Sequence, residues 1–175
     1  MLSHLLVENI ALIQRLELYL DQGLTILTGE TGAGKSIIID ALSLALGSRA
    51  EQGLLRSGTD KGMVSAHFHL QDHHPIREWL QQKEIPWLDD GLFLRRVLTD
   101  KGRSRAFINE TPVPLALLTE AGNLVAEIHG QHDNQSLLNA PQQRHLLDTY
   151  AGHRNLLEEV AALYRSWRST WYEKQ

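Results

Sequence analysis

Apolar and polar positions alternate or cluster along the first seventy residues in a readable order. Residues 2–8 and 15–20 carry Leu5, Leu6 and Val7, then Leu16, Leu18 and Leu20, the pattern of two strands joined by a short turn near Asn9. Asp21-Gln22-Gly23 reads as a turn. Leu24-Thr25-Ile26-Leu27-Thr28 is a short apolar, β-branched run and predicts a buried strand. Ser36 to Leu46 is apolar and rich in helix formers, with Gly47 placed as a C-terminal stop. Residues 47–62 form a polar stretch holding four glycines with Arg49 and Arg56. Alternation returns from Met63 to Leu70 as a further strand.

The middle of the chain is punctuated by turn residues. Asp72-His73-His74-Pro75 predicts a helix start with Trp79-Leu80 on its buried side. Asp89-Asp90-Gly91 is a hairpin-type turn. Leu92 to Leu98 is a strand, residues 100–103 turn, and Arg105 to Asn109 return, which together predict a small antiparallel sheet. Pro112 and Pro114 precede a helix over about 115–121. Leu124-Val125-Ala126-Glu127-Ile128 reads as a buried strand, spanning Asn123 to His129 and running into the polar cluster 130–135.

The tail has a different period. From Leu146, apolar or aromatic residues recur at Tyr150, Leu157, Val160, Tyr164, Trp167 and Trp171, a heptad seam still running at the last residues. Gly152 interrupts it as a helix break. One amphipathic helix packed on a domain would show this pattern, and so would the root of an antiparallel coiled coil. Two tryptophans on one helix face favour the coiled coil, because they expect a partner.

Between the run 24–28 and the helix at 36 stands Gly29-Glu30-Thr31-Gly32-Ala33-Gly34-Lys35-Ser36, a complete G-x-x-x-x-G-K-[ST] loop. Its glycines let successive backbone N–H groups face one anion. The following helix adds its positive N-terminal end. Lys35 supplies a point charge for β- and γ-phosphates, and Ser36 a hydroxyl for Mg²⁺. Strand, glycine-rich loop and helix are the order this chemistry requires.

Composition changes this picture little. The chain has 175 residues, 42% of them hydrophobic and 22% charged, enough for one domain with a real core or one domain plus an extension. The formal net charge of −4 leaves no chain-wide basic footprint for nucleic acid. No run of 18 apolar residues spans a membrane, and no secretory signal is visible. The absence of cysteine rules out disulfides and thiolate chemistry, and fits the cytosol. Among nine histidines, His67 and His69 share a strand face, but no third ligand stands at a metal-site spacing.

Hydrolysis needs more than a phosphate loop. A second carboxylate site must hold Mg²⁺ and orient water, usually on an apolar strand ending in acid. Leu124 to Glu127 comes nearest, but Glu127 sits inside the run. No Ser-Gly-Gly-type signature loop is present; Leu55-Arg56-Ser57-Gly58 is only faintly similar. The residues therefore carry half of a nucleotide site.

Several separated motifs, in order, resemble the RecN-type DNA-repair family, within the SMC-like group of ABC-type ATPases. They are Leu5 to Ile13, the loop Thr28 to Ser36, Asp40 to Ala50, Leu94 to Val97, Gly102 to Asn109, and Ile128-His129-Gly130-Gln131-His132. The resemblance covers nearly the whole chain, though Ile10 stands where many relatives carry Phe. It implies an α/β P-loop NTPase of the ABC/SMC head type: the N-terminal lobe, a small antiparallel β subdomain, and the start of a coiled coil.

Residues 1–150 would form the N-terminal half of the head, and 151–175 the first turns of the coiled coil. ATP and Mg²⁺ are the implied cofactors. Gln131 looks like the Q-loop glutamine reaching Mg²⁺ and the attacking water, with Gln135 an alternative. The implied partners are the C-terminal half of the same head, a second head in a homodimer, and DNA, in the cytoplasm at the nucleoid. Such a protein would be an ATPase acting in double-strand break repair and recombination, while this chain by itself would be inactive.

A second reading is a stand-alone P-loop nucleotide kinase or nucleotide-binding module. A kinase would place arginines in a lid, for which Arg95, Arg96, Arg103 and Arg105 are candidates. A GTPase would carry Asn-Lys-x-Asp, which is absent.

Overall fold

The computed structural model describes residues 1–29, 34–50, 53–71, 74–89, 91–100, 102–128 and 140–172. By internal contact the chain divides into two compact units, 1–128 and 129–175.

The first unit is built on one six-stranded antiparallel sheet. Its strands are β1 (Leu2–Ile10), β2 (Ile13–Tyr19), β3 (Lys61–Phe68), β4 (Leu92–Thr99), β5 (Ser104–Ile108) and β6 (Thr111–Val113). Their order across the sheet is β2-β1-β3-β4-β5-β6. The predicted middle sheet is thus continuous with the two N-terminal strands, because β3 pairs with β1 on one side and β4 on the other. The first turn falls at Ala11-Leu12 rather than at Asn9, and both Asn9 and Ala11 have positive φ. The three-residue β6 was not foreseen; Pro112 in it read only as a prelude to a helix.

Period-2 alternation decides what the sheet buries. Leu5 and Val7 of β1, Val64, Ala66 and Phe68 of β3, Leu92, Leu94 and Leu98 of β4, and Ala106 and Ile108 of β5 form the core. Helices α1 (Lys35–Ala45), α2 (Ile76–Gln82) and α3 (Leu115–Val125) complete it with Ala41, Leu44 and Ala45, Ile76 and Leu80, and Leu118 and Ala121. The predicted helix start at Pro75 holds: Pro75 immediately precedes α2 and Leu80 is buried. The opposite face of β4 and β5 carries Phe93, Arg95, Arg105 and Phe107, none of them fully buried.

Two expectations fail. Residues 24–28 form no strand, and Leu24 and Ile26 are 88% and 73% exposed. A short apolar run is buried as a strand only where neighbours flank it, and the six strands of this sheet are paired with one another. The run Leu124 to Ile128 is not a buried strand either. Helix α3 continues through Val125, and Leu124 is exposed on it. Gly122 lies inside this helix, where a Cβ would sit 2.3 Å from the Leu46 carbonyl oxygen, so the close approach to Leu46 requires glycine. His129, the end of that expected strand, lies outside the described residues, as does the polar cluster 130–135.

In the second unit, α4 (Ala140–Tyr150) and α5 (Arg154–Tyr172) are separated at residues 151–153, with Gly152 at φ 70°. The predicted break is therefore where glycine's left-handed conformation is used. All seven seam residues lie on these two helices, and each is exposed.

Candidate phosphate-loop site

Gly34 adopts φ 90°, ψ 2° and caps the N-terminus of α1. A side chain would meet no atom there, so the left-handed backbone alone explains the glycine. Helix α1 then starts at Lys35, and Ile38 N–H donates to the Gly34 carbonyl at 3.2 Å. No acidic residue stands in the first turn. Among the described residues, no first-turn carboxylate offsets the N-terminal N–H groups and their partial positive charge.

Lys35 is half-buried, and its ammonium donates to the Gly29 carbonyl, spanning the two ends of the loop. Ser36 is exposed on the first turn of α1. The structure therefore brings Gly29, Gly34, Lys35 and Ser36 to one helix terminus. Glu30, Thr31, Gly32 and Ala33 lie outside the described residues, as do Gln131 and Gln135.

The far end of α1 is held firmly. Gly47 accepts a hydrogen bond from the Thr119 hydroxyl at 3.0 Å, and Ala41, Leu44 and Ala45 are buried against the sheet. The loop after α1 returns to the β1–β2 turn. Arg56 N–H donates to Asn9 O at 3.0 Å, and Ala11 N–H donates to Leu54 O at 2.8 Å.

Of the β4–β5 hairpin arginines, Arg95 and Arg96 are held within the unit, while Arg103 and Arg105 are exposed. Arg95 stacks on Phe107 at 4.6 Å and pairs with Glu110 at 2.6 Å. Arg96 is buried, and burial pushes its guanidinium pKa below the usual value. His67 stacks on Phe93 at 4.0 Å, and no group of three metal-ligating side chains occurs among the described residues.

A family model described as an AAA domain matches residues 4–106. The chain belongs to this family. It is 48% identical over 168 residues to the DNA repair protein RecN of Vibrio cholerae, covering 96% of this chain and 30% of that protein. It corresponds to the N-terminal, AAA-domain region of RecN.

The fold is that of an SMC-type P-loop head fragment. A solved chain described under ATP-driven dimerization and DNA stimulated activation of SMC ATPases superposes with a TM-score of 0.60. Its identity is 20%, and the match covers 84% of this chain and 97% of that one. The SMC head domain from Thermotoga maritima superposes at 0.55 with 20% identity, over 79% of this chain and 51% of that one. The chain thus spans about 30% of the length of the curated RecN relative it matches. Among the described residues, no helix is long and apolar enough to cross a membrane.

Proposed function

We propose that the chain is the ATP-binding N-terminal half of a RecN-like SMC-family ATPase head acting in DNA double-strand break repair and recombination. The observation that carries this reading is the left-handed Gly34 turn delivering Lys35 to the open N-terminus of α1, beside the Gly29 carbonyl.

Residues 29–36 would hold the triphosphate. The Lys35 ammonium would exchange the Gly29 carbonyl for phosphate oxygens, a stronger charge-assisted partner. The Ser36 hydroxyl fits a Mg²⁺ ligand, being exposed one residue into the helix. Bound Mg²⁺ would neutralise phosphate charge. Gln131 is the proposed residue for orienting water at that ion.

The exposed apolar run 24–28 supports an incomplete head. In the full protein the C-terminal half would supply strands beside it, together with a signature loop and the acidic strand that hydrolysis needs. Two heads would close on ATP and part after hydrolysis, with DNA engaged by the full-length protein in the cytoplasm. Residues 1–150 would belong to the head and 151–175 to the root of its coiled coil.

Titration with ATP–Mg²⁺ tests the site. Lys35→Ala removes a charge-assisted contact of about 1.5–3 kcal/mol, so affinity should fall accordingly; equal affinities in both chains would end the proposal. Steady-state phosphate release tests the half-site. The chain should show no useful turnover, whereas about 1 s⁻¹ or more, lost on Lys35→Ala, would favour a stand-alone enzyme.

A further inference from the structure

The sheet ends differently at its two edges. β6 closes one edge with three residues that include Pro112, which has no N–H to offer a further strand. β2 closes the other with seven residues, Ile13–Tyr19, free of proline and glycine. Its pairing with β1 keeps one register from His4↔Tyr19 to Ile10↔Ile13. Among the described residues, no strand pairs with its outer side.

The Leu20 N–H donates to the Ser3 carbonyl at 2.9 Å, so Leu20 belongs to a hydrogen-bonded pair of the β1–β2 ladder. Alternation along an antiparallel ladder then turns the backbone of Leu18 and Leu16 to β1. It points the N–H and C=O of Tyr19, Glu17 and Arg15 away from β1, to the free edge. Such a row of backbone groups is a template for another strand.

The side chains of this edge complement themselves. Arg15 and Glu17 share the outer face, in contact at 3.3 Å, and both are exposed. Leu16 between them is half-buried against the core. A two-fold axis at Leu16 sets Arg15 opposite Glu17 of a second copy, and Glu17 opposite its Arg15. Both are hydrogen-bonded pairs, the class that the outward backbone of these residues can form. Arg15 already pairs with Glu8 of β1. A row of alternating sign, Glu8, Arg15, then Glu17 of the second copy, therefore crosses the joint, and the axis repeats it. Leu16 meets its own copy on the core-side face, an apolar cross-strand pair. Moving the axis to Arg15 or to Glu17 sets like charges opposite each other, which is destabilising.

We propose that the β2 edge pairs with the β2 edge of a second copy, antiparallel about Leu16, so that one sheet runs through a two-fold dimer. The occupant is a second copy because the charge order Arg15, Glu17 is its own complement in that register. An isologous joint of this kind also closes on itself. It uses neither the phosphate loop nor nucleotide, and is distinct from any closure of heads on ATP.

The test uses the Trp167→Lys chain without nucleotide, so that the aromatic face of α5 does not compete. Sedimentation at rising concentration should show a monomer–dimer equilibrium. Over the same range, hydrogen exchange should slow at the Arg15 and Glu17 amides. Adding Arg15→Glu should weaken the dimer about tenfold or more, because one substitution alters both pairs. Adding Glu17→Arg instead should do the same. Mixing the two variant chains restores opposite charges at both pairs and should restore a dimer of mixed composition.

A parent chain that stays monomeric at every concentration overturns the proposal. So does a dimer that Arg15→Glu leaves unchanged, or one that the mixed variants fail to restore. If either variant loses its fold, the parent's amides decide. Fast exchange at Arg15 and Glu17 in the dimer overturns the joint. Slow exchange at every dilution shows the edge covered within its own chain, and overturns it too.

Discussion

The Thr119 hydroxyl on α3 donates to the Gly47 carbonyl just beyond α1, at 3.0 Å. The approach is close because Gly47 has no side chain. A Cβ there would lie 2.5 Å from Thr119 Oγ1 and 2.6 Å from the Thr119 backbone, at a φ of 100°. The helix that begins at the phosphate loop is thereby anchored at its opposite end.

Gly47→Ala should therefore destabilise the first unit by about 2–4 kcal/mol, combining left-handed strain with a clash against backbone. Gly58→Ala is the matched control. It has φ 80° but open space around it, so only the conformational cost of about 1–2 kcal/mol applies. Thr119→Val should cost about 1 kcal/mol for the lost hydrogen bond. Denaturant unfolding of the three variants checks the order; equal losses at Gly47 and Gly58 would remove the packing argument.

Asn109 ties two segments together from a buried position at φ 47°. Its side-chain oxygen accepts from Phe93 N–H at 2.8 Å, and its amide donates to Pro86 O at 2.8 Å. Asn109→Ala strands both backbone groups and keeps a left-handed residue without the side chain that tolerates it. The expected loss is about 2–4 kcal/mol. Asn109→Asp should lose less at the Phe93 end and more at Pro86, since a carboxylate accepts but cannot donate. Chemical denaturation of both variants measures this, and a loss below about 1 kcal/mol for Asn109→Ala would contradict it.

Much of the antiparallel sheet was legible because β1 to β5 each show alternation bounded by turn residues. The phosphate loop was legible because its glycines and lysine stand at fixed spacing. Three features were not. The run 24–28 looks like a core strand, but burial depends on neighbours that local pattern does not contain. The run 124–128 looks like a buried strand, yet Leu124 and Val125 continue α3, which the close approach of Gly122 to Leu46 sets in the tertiary fold. Arg96 reads in the sequence only as one of four candidate lid arginines, not as a buried residue. Its place in the stripe Leu92, Leu94, Arg96, Leu98 was the available signal, since even positions of β4 face the core.

The outer edge of the sheet carries a small charge network with a definite pH dependence. Glu17 accepts from the Tyr19 hydroxyl at 2.9 Å and from Arg15 at 3.3 Å, with His4 at 3.2 Å. Tyr19, then Arg15, hold the Glu17 carboxyl below its usual value, and the same bond raises the Tyr19 phenol. A carboxylate lowered in the folded state stabilises above the ordinary carboxylate range. That contribution is lost as pH falls through the folded value. Tyr19→Phe should return Glu17 toward its ordinary pKa and flatten the acid side of the stability curve. Carboxyl NMR titration reads it directly; an unmoved Glu17 would show that Arg15 and His4 set the shift without Tyr19.

Helix α5 carries the seam Leu157, Val160, Tyr164, Trp167 and Trp171, all exposed. Tyr164 and Trp171 flank Trp167 with ring centroids at 5.7 and 6.0 Å, so the three rings form one apolar strip. A helix of 19 residues is marginal in water when nothing covers such a strip. In this chain α5 should either fray or bury the strip against a second copy. Fraying appears as fast amide exchange over 155–171, and self-association as a concentration-dependent dimer in sedimentation. Trp167→Lys places a charge at the centre of the strip and should abolish any such dimer. A monomer whose 155–171 amides exchange slowly would show that the strip is covered within its own chain, and the coiled-coil reading of the tail would fall.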